Sequence, residues 1–320
     1  MRFVRRHVLA FAVAALATVS VPAWAEERIS VVATTGMIAD TARAVGGDLV
    51  DVRALMGPGV DPHAYRQTRT DIVAMTRADI VLWHGLYLEA QMEDFFHDLD
   101  GKRPVIAVGE AVPEADLLAH EDYEGRFDPH VWMDPDLWTH VVIAVRDALT
   151  GIAPEHGEAF AANTEAHLAE LQRLGTYSED ALATVPEASR VLVTAHDAFR
   201  YFGEAYGFEV LGIQGISTES EAGLNRIAEL VDLLVERKIG AVFVESSVSD
   251  RNIRALIEGA ASRGHSVKVG GELYSDAMGA DGSYEGTWIG MIDHNVTTIA
   301  GALGGVVAER GMDGRLSAGF

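Results

Sequence analysis

Residues 191–212 read VLVTAHDAFRYFGEAYGFEVLG: a β-branched run, Val191-Leu-Val-Thr194, a helical stretch opening at Asp197-Ala-Phe-Arg-Tyr201, and a second run, Phe208-Glu-Val-Leu-Gly212. Short apolar runs separated by helix argue for parallel strands covered on both faces. The rhythm extends both ways. Downstream come Ala241-Val-Phe-Val244 and Ser266-Val-Lys-Val269; upstream come Ile29-Ser-Val-Val-Ala33, Val50-Asp-Val-Arg-Ala54, Asp79-Ile-Val-Leu-Trp83 and Pro104-Val-Ile-Ala-Val108. Four strands in each half predict two α/β lobes with parallel sheets.

Between them, Pro154 to Pro186 is polar-rich with an apolar seam at Phe160, Leu168, Leu171 and Leu174. Prolines at both ends mark a helix, with Gly175 a potential kink. The expected division is therefore a lobe over residues 26–153, a linker helix over 154–186 and a lobe over 187–320. Leu224, Ile227, Leu230, Val231 and Leu234 predict a further helix with a buried stripe, and Ser217-Thr-Glu-Ser-Glu221 reads as its start signal.

The N-terminus reads as an address. Arg2, Arg5 and Arg6 precede an apolar run from Val8 to Val21, and Ala23-Trp24-Ala25 is a small-x-small cleavage pattern. We expect residues 1–25 to be a removed signal peptide, since a membrane span needs roughly 20 apolar residues.

The 320 residues carry 25 Lys+Arg against 48 Asp+Glu, a net charge of -23 that becomes -26 once the three leader arginines are gone. Such a balance argues against nucleic acid as a partner. No cysteine is present, which removes disulfides, thiol chemistry and thiolate-bound metals. It also removes the site of an N-terminal lipid, so the expected compartment is the periplasm, without a lipid anchor.

Chemistry must then come from imidazoles, carboxylates and hydroxyls. In open α/β sheets ligands sit beyond the carboxyl ends of the strands. Asp61-Pro62-His63 follows the second strand, and Asp128-Pro129-His130 repeats the tripeptide; proline stiffens both loops, which suits a metal ligand. His196 comes straight off the strand at 191–194. Asp276, Glu272 and Glu245 are three carboxylates placed after strands. Three imidazoles with one carboxylate are a four-ligand set for a divalent ion of zinc or manganese type. Imidazoles must be neutral to ligate, so affinity is expected to fall as pH drops through roughly 6.5. The other histidines read as structural or solvated: His97, His140, His156, His167, His265 and His294. His84 ends a strand and is placed at or near the cleft, and His120 reads as part of a solvated acidic loop.

At this point the residues resemble the zinc/manganese solute-binding proteins of ABC transporters, the cluster A-I or TroA-like group. The motifs that carry the resemblance are Thr34-Thr-Gly-Met-Ile38, Gly59-Val-Asp-Pro-His-Ala-Tyr65, Gly85-Leu-Tyr-Leu-Glu89, Asp128-Pro-His-Val-Trp132, Thr194-Ala-His-Asp-Ala-Phe199, Gly215-Ile-Ser-Thr218, Phe243-Val-Glu-Ser-Ser247, Gly271-Glu-Leu-Tyr-Ser-Asp276 and His294-Asn295. The resemblance implies two lobes joined by one rigid helix, with an ion held between them and delivered to an inner-membrane ABC permease by a monomer. It implies His63, His130, His196 and Asp276 as ligands and sets aside Glu245 and Glu272. His196 stands where manganese- and iron-carrying relatives often have Glu, which favours Zn2+ as cargo, with Mn2+ next.

In one respect the chain departs from the pattern: Glu110 to Phe127 is short and contains only His120, where zinc-dedicated relatives insert a long histidine-rich loop. Two rival classes are a zinc hydrolase with an open water position and an adhesin. The first lacks His-Glu-x-x-His and Gly-x-Ser-x-Gly; the second lacks a lipid anchor.

Overall fold

The computed structural model describes residues 28–120, 123–220 and 222–318. The expected signal peptide, 1–25, lies outside them. The first half is built on β1 (Ile29–Ala33), α1 (Gly36–Gly46), β2 (Val50–Ala54), α2 (Arg69–Arg77), β3 (Ile80–Trp83), α3 (Glu93–Asp100), β4 (Val105–Ala107) and α4 (Pro135–Ile152). After α5 (Gly157–Ala183) come β5 (Val191–Thr194), α6 (Arg200–Tyr206), β6 (Glu209–Gly212), α7 (Leu224–Arg237), β7 (Ala241–Glu245), α8 (Arg251–Ser262), β8 (Lys268–Leu273) and α9 (Trp288–Ala302).

Every strand pair is parallel. The first sheet has the order β2-β1-β3-β4, while β5 pairs with β6 and β7 with β8. β5 lies beside β7, but no ladder bonds join them among the described residues. Both faces are covered, which is why β3 and β5 are buried along their whole length and read as continuous apolar runs.

α5 is one helix of 27 residues, unbroken at Gly175 and about 40 Å long at 1.5 Å per residue. Phe160, Leu171 and Leu174 are buried as its seam predicts. It packs against α1, α4, α6 and α9. One hydrophobic core runs through both halves of the chain, from Val31 and Val142 to Leu192, Phe202 and Val296. Trp138 of α4 and Trp288 of α9 stack within it, with ring centroids 5.9 Å apart and planes 9° apart.

Three local expectations need correcting. α6 begins at Arg200, not at Asp197. α7 begins at Leu224, with Gly223 at its cap and no side-chain cap bond, and Leu224 itself is 85% exposed. Ser217 and Thr218 hold other partners. The strand expected at Ser266–Val269 instead spans Lys268–Leu273 and runs through Gly270 and Gly271: a Cβ on Gly270 would meet the Phe243 ring, and one on Gly271 the Thr298 side chain, so the glycines permit close packing inside a strand.

Gly290, in the first turn of α9, gives a stability test. A Cβ there would strike the Tyr284 carbonyl, a backbone group that cannot swing aside. Gly290→Ala should therefore cost at least about 1–3 kcal/mol, the usual cost of overpacking, as a lower midpoint in denaturant unfolding. Gly151, with open space around its Cβ position, is the control.

Candidate metal centre

His63, His130, His196 and Asp276 come together, each offering a ligand atom within 4.8 Å of the others. All four are buried. His63 lies in the loop after β2, His130 starts the short turn Val131–Met133 before α4, His196 lies two residues past β5 and Asp276 three past β8. The strand-end logic thus selects residues that the fold gathers from four separate connections.

Two of the histidines are held from behind. His130 donates Nδ1–H to Asp128 Oδ1 at 2.7 Å, and the same oxygen accepts its backbone N–H at 3.0 Å. Glu245 does likewise for His196, taking Nδ1–H at 2.5 Å on one oxygen and the backbone N–H at 2.8 Å on the other. These bonds fix both tautomers and turn both Nε2 atoms inward. His63 Nε2 lies 3.4 Å from His130 Nε2. Asp276 sits 3.4 Å from His130 Nε2 through Oδ1 and 3.2 Å from His196 Nε2 through Oδ2. His196 Nε2 and Asp276 Oδ1 are fully buried without a hydrogen bond among the described residues. Buried polar atoms left in that state are costly unless a further partner satisfies them, and a shared cation would do so.

The loop carrying Asp276 is pinned by two residues that stand in motifs of the sequence but whose partners the sequence does not show. Trp132 donates its indole N–H to Ser275 O at 2.8 Å, and Asn295 brackets Tyr274, accepting its N–H at 2.9 Å and donating to its carbonyl at 2.7 Å. His84 is no ligand candidate: buried between Trp132 and Trp138, it places Nε2 2.7 Å from Pro129 O. Glu245 lies behind the site and Glu272 is exposed. His120 is buried rather than solvated, against the Tyr123 ring. His97 is exposed, His265 Nε2 reaches Ile239 O, and His294 Nε2 reaches Glu272 O.

The electrostatics split the histidines. Burial drives His63 down to about 3, with His130 and His196 adding to the effect and Asp276 opposing it. His130 is buried too, yet Asp128 and Asp276 outweigh that and raise it to about 9. In His196 the burial penalty is likewise overcome, by Asp276 and Glu245, which hold it well above its usual value. Asp276 is driven well below the carboxylate range: burial opposes its charge, but His196 and His130 more than compensate. Asp276 thus stands between two imidazoles whose protonated forms its charge and the carboxylates behind them favour.

Removing the carboxylate charge behind a ligand tests this arrangement. Glu245→Gln keeps the size but withdraws the anion from His196, and metal affinity should fall by about 10–100-fold, measured by chelator competition.

Fold and site define a class: a two-lobed α/β protein built to hold a metal ion. A family model described as "Zinc-uptake complex component A periplasmic" matches residues 31–302, and the chain belongs to that family. It is 48% identical over 294 residues to the manganese-binding lipoprotein MntA of Bacillus subtilis, covering 92% of this chain and 95% of the relative. It is 45% identical over 273 residues to the zinc-binding protein TroA of Treponema pallidum, covering 85% and 88%. The solved structure of the Treponema protein superposes with a TM-score of 0.84 over 87% of this chain and 99% of that one, and Fe(III)-bound YtgA of Chlamydia trachomatis with 0.79 over 88% and 100%, at 27% identity. The protein is a metal-binding component of ABC-type metal uptake and not an enzyme.

Proposed function

We propose that the protein captures one divalent transition-metal ion, zinc before manganese, at His63, His130, His196 and Asp276, and hands it to an inner-membrane ABC permease. The observation that carries this reading is the convergence of four ligand atoms within 4.8 Å. Three imidazole nitrogens against one carboxylate favour zinc, and zinc stands above manganese in intrinsic affinity for such donors. Manganese is the second reading, supported by the Bacillus relative, named for manganese. The ion is cargo: bound neutral imidazoles and Asp276 give a site charge of +1, which Asp128 and Glu245 compensate from behind.

In this reading the lobes are residues 26–153 and 187–320, the helical segment 154–186 joins them, and the ion lies between them. The protein works as a monomer in the periplasm. Its 320 residues hold no cysteine to carry a lipid, although the Bacillus relative is named a lipoprotein. Protein isolated from its own cell envelope should carry one equivalent of zinc, and manganese should not displace it at equal concentration. Bound manganese that zinc cannot displace would reverse the order, and an absence of any transition metal would remove the reading.

A further inference from the structure

We propose that Thr218 latches the centre shut and sets how fast the ion leaves; the inference rests on the metal-centre reading above. Asp61 Oδ1 accepts the backbone N–H of His63 at 2.9 Å, while Asp61 Oδ2 accepts the Thr218 hydroxyl at 2.6 Å. One carboxylate therefore ties a ligand loop of the first half of the chain to the connection after β6 in the second, 157 residues away.

His63 is the ligand candidate that most needs such a tie. Asp128 and Glu245 each grip both the ring and the backbone of their histidines, whereas Asp61 reaches only the backbone of His63 among the described residues. The His63 loop lies between β2 and α2 without helix or strand of its own. A wide hinge opening would have to break the continuous core and the Trp138–Trp288 stack, so the cheaper route out is local displacement of this loop.

The connection is itself organised for the contact. Gln214 Nε2 donates to the carbonyls of Thr218 and Ser220, closing the turn, and Gln91 Nε2 donates to Glu219 Oε1 at 2.6 Å as a second bond between the halves. This also explains why Ser217 and Thr218 resemble a helix start that α7 does not use: Ser217 Oγ accepts Glu219 N–H and the Thr218 hydroxyl goes to Asp61. Thr218 is thus a positioning residue, acting on the ion through Asp61 and His63.

The test uses full-length protein loaded with one equivalent of zinc and mixed rapidly with excess chelator, comparing wild type with Thr218→Val and Thr218→Ser. Losing a hydrogen bond to a charged acceptor should speed release by about 10- to 100-fold in Thr218→Val. Its association rate should change by less than about twofold and its cobalt absorption spectrum should match wild type, because the ligand atoms are untouched. Thr218→Ser should restore slow release. Release from Thr218→Val at the wild-type rate, equal acceleration in Thr218→Ser, or an altered cobalt spectrum would overturn the latch. Should Thr218→Val unfold, Thr218→Ala removes the same hydroxyl with less bulk and carries the same expectations. Wild-type protein that takes up neither zinc nor cobalt would instead overturn the metal-centre reading.

Discussion

Asp276→Ala should lower metal affinity on the order of 1,000-fold or more, a larger loss than the roughly 10–100-fold expected for a group that only supports a ligand. Asp276 is the only anion among the four candidates, and it stands against both His130 Nε2 and His196 Nε2. Without it an incoming dication would meet three neutral rings in a buried space, with charge compensation only from Asp128 and Glu245 on the far side of the imidazoles. His196→Ala should approach the same loss, because it removes a nitrogen ligand and leaves Glu245 buried without its imidazole partner. Isothermal titration with zinc measures both effects, and circular dichroism should show an unchanged fold. An affinity within tenfold of wild type for either variant would exclude that residue as a ligand.

The second large effect is on pH. Sequence alone suggests that binding weakens below roughly 6.5, where free imidazole protonates. The structure moves that window upward, because His130 keeps its proton to about 9 and His196 is also raised. Binding near pH 7 must displace protons that the site favours, so affinity should climb as pH rises from 7 towards 9. Titration in buffers of different ionisation enthalpy should report net proton release on binding.

Stability of the metal-free protein has the opposite slope. A histidine whose folded pKa is raised contributes fully below its unfolded value near 6.5 and loses that contribution as pH rises through about 9. Chemical denaturation should therefore show the metal-free protein weakening from pH 7 to 9 while its affinity for metal grows. His63 and His84, both held near 3 by burial, act outside that interval: their stabilisation is present above pH 6.5 and is lost as pH falls towards 3.

Strands such as β5 were legible because parallel strands covered on both faces are continuous apolar runs, while the edge strand β2 alternates apolar with exposed charged residues and was legible from its β-branched valines. The long helix α5 was legible from its flanking prolines and apolar seam. The four candidate ligands stood out because strand ends and two rigid Asp-Pro-His loops concentrate such residues, and the resemblance decided among Asp276, Glu272 and Glu245. What stayed hidden is the set of bonds that hold those loops. Asn295 gripping Tyr274, Trp132 reaching Ser275 and Thr218 reaching Asp61 are bonds between remote segments. Such pairings are made by the fold and leave no periodicity or spacing behind. The burial of His120 was hidden for a similar reason: Glu121, Asp122 and Glu124 make its surroundings look solvated in sequence, while the Ala119–Phe127 bridge folds the loop back on itself.

X-ray absorption at the zinc edge of the loaded protein, paired with the four single alanine variants, addresses the ligand set itself. The account predicts four nitrogen or oxygen scatterers at about 2.0–2.1 Å, with imidazole multiple scattering from three rings that drops to two in His63→Ala, His130→Ala and His196→Ala and stays at three in Asp276→Ala. A zinc ion whose shell is unchanged by any of these substitutions would place it elsewhere in the molecule and contradict the account.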